Sequence, residues 1–256
     1  MPFTLAHAVA ARPLWRLTRG YLPISALVVG SMAPDFGHFL LLRPHGTLGH
    51  SVAGLFVFCL PLSLVVLGLW HAVVKRPLAG LLPHRWAHLA AAAERPFPVR
   101  GAAGGRVGAA VILGAMSHLA WDALTHVDGV VVTRLSLLRA DLPLAGVPVY
   151  KALQYGCSVA GVAALAWMAL SWARRQPRVE IALPPRRVRL AGLAFIALFT
   201  ALTAMASGVR AVAELGTDQP RVLVVAVVVG SVTGAALAVT SYALANAPLL
   251  RSRVTS

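Results

Sequence analysis

Nine histidines and eight acidic side chains occur in 256 residues, and several of them fall inside apolar stretches. His118, Asp122 and His126 recur every four residues in His118-Leu-Ala-Trp121-Asp122-Ala-Leu-Thr125-His126, which puts them on one stripe of a helix. Asp35 and His38 stand three apart, on one helical face. Between the two clusters, His45-Gly46-Thr47-Leu48-Gly49-His50-Ser51 leads into a further apolar run. A mixed histidine and carboxylate set suits Zn²⁺, and also Mn²⁺ or Fe²⁺. A bound dication would compensate Asp35 and Asp122 in apolar surroundings and acidify a water into a hydroxide nucleophile. The structural alternative is a staple, with Asp122 paired to His118 or His126 between helices.

These residues need elements to carry them. The chain is 58% hydrophobic and only 12% charged, with mean hydropathy +0.76. A soluble domain has about 25% charged residues, so disorder, a coiled coil and an ordinary cytosolic enzyme are excluded. A spanning helix needs about 20 mostly apolar residues. Ser51–Val74, Pro148–Trp172, Val188–Gly208 and Arg221–Ala247 meet this cleanly. Leu22–Leu42 and Val107–Thr125 are long enough but carry Asp35 with His38, and His118 with Asp122. The predicted fold is therefore all-α, a polytopic transmembrane bundle of about six hydrophobic segments. Residues 1–172 form the part that carries the site, and residues 173–256 add two further transmembrane helices. An ionisable group near the bilayer centre costs about 2.5–3.5 kcal/mol on insertion scales and is by default a functional-site hypothesis.

The net charge of +15 reads as a topology code. Lys75, Arg76, Arg85, Arg95, Arg100 and Arg106 crowd loop 75–106, and Arg174, Arg175, Arg178, Arg186 and Arg187 crowd loop 173–187. Loops 126–147 and 209–221 balance their charges. Lys and Arg stay on the cytoplasmic side, so loops 75–106 and 173–187 and the C-terminus are expected in the cytoplasm. Loops 43–50, 126–147 and 209–221 then face outside, with the His/Asp cluster just below the outer surface. The first segment has two solutions. If Leu22–Leu42 spans, the N-terminus with Arg12, Arg16 and Arg19 is inside; if the Pro34 break makes it re-entrant, the N-terminus is outside. Basic residues beside helix ends in short loops also exclude nucleic-acid binding.

The other features carry blander meanings. Cys59 and Cys157 lie in apolar runs as small hydrophobes, with no CxxC pair. Residues 1–20 lack the apolar core of a cleaved signal peptide. His71 belongs to an interfacial belt, and His84 with His88 to an amphipathic interfacial turn. Lys151, Gln154, Tyr155 and Ser158 share a helical face that could point into the outer site; snorkelling by Lys151 and helix–helix hydrogen bonds by the rest are the preferred reading. Gly156 with Ala160, and Gly230-Ser-Val-Thr-Gly234, suggest close helix packing.

In order along the chain stand Met1-Pro-Phe-Thr-Leu-Ala-His7, Gly30-Ser31-Met-Ala-Pro34-Asp35-Phe36, His50-Ser51, Gly114-Ala-Met-Ser117-His118-Leu-Ala-Trp121-Asp122-Ala-Leu-Thr125-His126 and Tyr150-Lys151-Ala-Leu-Gln154-Tyr155. Over about residues 1–160 this order resembles the bacterial DUF4184 family of membrane proteins. The first four pieces also resemble the wider YdjM-type inner-membrane proteins, grouped as metal-dependent hydrolases. Those carry an early His, a Pro-Asp-x-Asp-His box, a His-Arg-Gly-x-Thr-His-Ser box and a His-x-x-x-Asp box. Here Gly37 replaces the second acid, and His45 to His50 lacks the arginine and spaces its histidines differently. The resemblance implies His7, Asp35, His38, His50, His118 and Asp122 as the matching residues. His7 can join an outer site only if the first segment is re-entrant, and that arrangement is preferred over the arginine count of residues 1–20.

The leading expectation is a multi-pass protein of the bacterial cytoplasmic (inner) membrane that hydrolyses a membrane-associated ester or phosphoester at the outer leaflet. Asp35, His50, His118, Asp122 and His7 would hold the metal, zinc ahead of manganese or iron. His38 and His126 would be the catalytic pair, orienting ligands or shuttling protons. The partners are the bilayer and a lipid or lipid-linked substrate. The alternative is a non-enzymatic transporter or envelope scaffold that uses the Asp/His stripe as proton relay or staple.

Overall fold

The computed structural model describes residues 4–41, 48–97, 102–143, 146–179, 181–216 and 220–251. Among them there is no β-strand, and six helices are long and apolar enough to cross a membrane. The chain starts in a 3₁₀ stretch, Thr4–Ala10, that runs into α1 (Ala11–Leu17). Then come α2 (Ile24–Leu41), α3 (Val52–Ala79), α4 (Ala102–Thr125), α5 (Val149–Arg175), α6 (Arg186–Leu215) and α7 (Pro220–Arg251). These helices match the six apolar stretches to within a few residues at most ends, and all but α2 run past them.

Two compact units form. One contains residues 1–36, 46–67 and 98–174, and the other contains 37–45, 68–97 and 175–256. In the first, the N-terminal arm folds back on α2. α1 ends at Thr18, Gly20 takes φ +76°, and its N–H bonds to the Trp15 carbonyl at 2.8 Å. Glycine takes that left-handed backbone at little cost and stops a helix there. Pro23 then opens α2. The arm therefore runs antiparallel to α2, and Thr4 reaches Asp35, eleven residues on from Ile24, or ~16 Å along the axis.

α2 and α4 lie side by side and parallel. Arg106 covers the ring of Tyr21 at 4.5 Å near the start of both helices, and His118 meets Ser31 farther along. The approach is close because Gly30 and Gly114 present no side chain. A Cβ on Gly114 would stand 2.5 Å from the Leu27 carbonyl oxygen and 2.8 Å from the Ser31 nitrogen. Such small-residue contacts let membrane helices pack backbone to backbone. Ala33, Leu55, Cys59 and Ala115 fill the buried core beside this crossing.

The second unit holds the α6–α7 hairpin. There Gly230 and Gly234 receive Ser207 and Thr203 of α6, so the GxxxG spacing marks a packed face. Lys75 donates to the Arg95 carbonyl at 2.5 Å, and Arg76 pairs with Glu94 at 3.0 Å. His71 stacks on Phe97 at 3.9 Å.

Candidate metal centre

Each site residue is placed by a local irregularity. Pro34 interrupts α2 with a 3₁₀ turn, Ala33–Asp35. Proline has no N–H, so the Ser31 carbonyl three residues back receives none from it. His118 Nδ1 lies 2.8 Å from that carbonyl. A carbonyl only accepts, so Nδ1 carries the proton and Nε2 faces the opposite way, toward the carboxylates. Asp122 follows one turn later on α4. His50 precedes Ser51, the N-cap of α3, whose side chain accepts from the Gly54 N–H at 3.0 Å. Gly49 is pressed against the Pro34 carbonyl, where a Cβ would not fit. This contact ties the start of α3 to the break in α2.

Five side chains converge. His118 Nε2 is 3.2 Å from Asp122 Oδ2 and 3.6 Å from Asp35 Oδ1. His50 Nε2 is 3.4 Å from Asp122 Oδ2 and 3.5 Å from Asp35 Oδ1. His7 Nε2 is 3.6 Å from Asp122 Oδ1, and the His7 ring stacks on His118 with centroids 3.8 Å apart. Ligand atoms of His7, Asp35 and His118 lie within 4.8 Å of one another, as do those of His50, His118 and Asp122. Charge-assisted hydrogen bonds close to about 2.7–2.9 Å, and every one of these separations is longer. Two ligands at about 2.0–2.2 Å from a tetrahedral ion stand about 3.3–3.6 Å apart, which is close to the spacing seen. His7 Nε2, His118 Nε2 and Asp122 Oδ1 are buried and make no hydrogen bond. Buried polar atoms without partners are costly. Two carboxylates and neutral imidazoles balance one divalent charge, so the donor set fits a dication.

The surrounding groups fix these donors. Thr4 Oγ1 donates to Asp35 Oδ2 at 2.6 Å, which leaves Oδ1 for the nest. Asp35 is 4% exposed and His118 0%. Burial pushes the His7 imidazole down to about 4, so at neutral pH its lone pair is available. His126, just past the end of α4, is also lowered by burial. Its Nδ1 is 3.4 Å from Asp122 Oδ1, and its Nε2 is 3.3 Å from the amide nitrogen of Gln154 on α5. Gln154 is 1% exposed.

His7, Asp35, His50, His118 and Asp122 are thus brought together, with His126 against Asp122. His38 belongs to the other unit and is in neither ligand group. His45 lies outside the described residues. Sequence does not single out Thr4 or the Ser31 carbonyl for this role, and it offers Gln154 only as the less favoured reading of its helical face. Gln154 is a lone amide in an apolar stretch, and Thr4 stands three residues before His7. His7 reaches the nest because the N-terminal arm folds back beside α2. α2 keeps a spanning length, and the arm before it folds back, so His7 arrives along a separate path.

A family model described as "Domain of unknown function (DUF4184)" matches residues 1–244. No curated protein and no solved structure matches the chain.

Proposed function

The chain belongs to the DUF4184 family, and from the geometry of its His/Asp nest we propose that it is a membrane-embedded, metal-dependent hydrolase of an ester or phosphoester carried by a lipid. The observation that supports this most is the set of His–Asp separations of 3.2–3.6 Å around three buried, unbonded ligand atoms. A divalent ion held there, zinc before manganese or iron, would supply Lewis acidity and acidify water. His7, Asp35, His50, His118 and Asp122 hold it. Ser31 and Thr4 keep His118 and Asp35 turned toward it. His126, held between Gln154 and Asp122, is placed to take or give a proton beside Asp122 Oδ1. The likeness of the histidine and aspartate boxes to YdjM-type proteins supports the same reaction class. The arginine distribution supports an outer-leaflet position in the bacterial inner membrane.

Protein purified in detergent should contain near-stoichiometric zinc, manganese or iron by elemental analysis, and Asp122→Ala should lose it. A parent protein free of metal after purification and after reloading would return the cluster to the role of a helix staple.

A further inference from the structure

A second hollow in the same unit shares His7 with the nest. It has a volume of about 650 Å³ and lies between the N-terminal arm, α4 and α5, within the size range of small-molecule sites, about 300–1,000 Å³. His7 and Ser117 line it, and so do Arg12 and Arg16. His7 and Arg16 are nine residues apart on one helical arm, at least ~13 Å. Ser158 and Met168, ten residues apart on α5, line it as well, ~15 Å. The hollow is therefore long and runs along the helices. Its walls are mostly apolar, with Val9, Pro13, Trp121, Trp167 and Met168 among them. Leu17 is 78% exposed and Trp167 65%. In a chain with six membrane-spanning helices, such exposed apolar flanks face hydrocarbon, so lipid tails have access. Among the described residues no acid lines the hollow, and Arg12 and Arg16 line it from the N-terminal arm.

We propose that this hollow holds the hydrocarbon chain of a membrane lipid, with the chain's polar end at His7 and its tip at Trp167 and Met168. The naming of that lipid as the substrate rests on the hydrolase reading; the binding of the chain does not. A largely apolar wall that ends on a metal-site histidine would set the register between chain and nest, so only lipids whose tail fills the hollow would present their ester there.

The test uses the full chain in nanodiscs of phosphatidylethanolamine with a trace of the same lipid carrying a diazirine at the tip of one acyl chain. After photolysis, crosslinks mapped by peptide mass spectrometry should concentrate on residues 9–17 and 164–168. A diazirine near the carboxyl end should move them to residues 117–121 and 157–158. Ala10→Trp from one wall, or Met168→Trp from the other, should cut these crosslinks tenfold or more with bound metal unchanged. Crosslinks spread evenly along α5, α6 and α7 and indifferent to both variants would overturn the proposal, as would the reverse order of the two probes. Groove crosslinks in a metal-free protein would keep the chain site and remove the hydrolase reading. Bound metal without groove crosslinks would do the opposite.

Discussion

Replacing Thr4 with valine keeps the shape of the side chain and deletes one hydroxyl. In the folded chain that hydroxyl donates to Asp35 Oδ2 at 2.6 Å, between two buried residues thirty-one positions apart. A hydrogen bond to a charged group contributes about 1.5–3 kcal/mol, or roughly 10–150-fold in an equilibrium constant. Part of that loss falls on folding. The rest falls on the metal, because Asp35 then rotates more freely and its Oδ1 is presented less often. Groups that orient metal ligands are typically worth about 10–100-fold in affinity. Thr4→Val should therefore weaken zinc binding about 10–100-fold, and Thr4→Ser, which restores the hydroxyl, should stay close to the parent. Competition with a chromophoric chelator in detergent measures both, and thermal melting confirms that each variant is folded. A folded Thr4→Val protein that binds zinc as tightly as the parent would refute the idea that the N-terminal arm completes the nest.

Three more outcomes follow from the packing and charge. Pro34→Ala supplies a backbone N–H near the Ser31 carbonyl, which His118 uses, and removes a residue that is about 3 kcal/mol less favourable than alanine in a helix; Tm should rise while metal affinity falls, and a parallel rise of both would contradict the role given to the break. Gly114→Leu forces a side chain against the Leu27 carbonyl and the Ser31 nitrogen; overpacking of this kind costs about 1–3 kcal/mol, so Tm should drop and metal should be lost, and an unchanged melting curve would show that α2 and α4 do not touch there. With Cys59 and Cys157 replaced by alanine, Leu137→Cys should react with an impermeant maleimide in intact cells and Arg85→Cys only after lysis; the opposite pattern would invert the assigned orientation.

The parts of the centre legible in sequence are those that depend on local periodicity. His118, Asp122 and His126 sit on one unbroken helix, so i, i+4 spacing alone aligns them. The six spans follow from length and apolarity. Spacing says less where the helix is interrupted. The three-residue step from Asp35 to His38 implies a shared face only in a regular helix, and the junction between the 3₁₀ turn Ala33–Asp35 and the α-helix from Phe36 falls between them. Gln154 is visible as a polar residue on an apolar helix, but its meeting with His126 needs α5 to lie against the end of α4, which no periodicity encodes. The turn that returns the arm did leave a signal: Gly20 followed by Pro23 is the usual mark of a helix stop.

That turn removes an apparent conflict between His7 and the arginines. A cytoplasmic tail of twenty residues could not bring His7 to an outer site, and an external one would carry Arg12, Arg16 and Arg19 to the unfavoured side. In the hairpin, the turn next to Arg16 and Arg19 stays at the end where Tyr21 meets Arg106, while the arm carries Thr4 and His7 back along α2. A chain segment at that depth must satisfy its backbone internally, which accounts for its being helical throughout. The 3₁₀ form of Thr4–Ala10 adds a specific advantage. With three residues per turn, side chains at i and i+3 eclipse, so Thr4 and His7, the two polar residues of Thr-Leu-Ala-His-Ala-Val-Ala, project from one edge. One meets Asp35 and the other lies beside Asp122 and His118. An α-helical arm would turn them ~60° apart and align them less closely with Asp35 and Asp122.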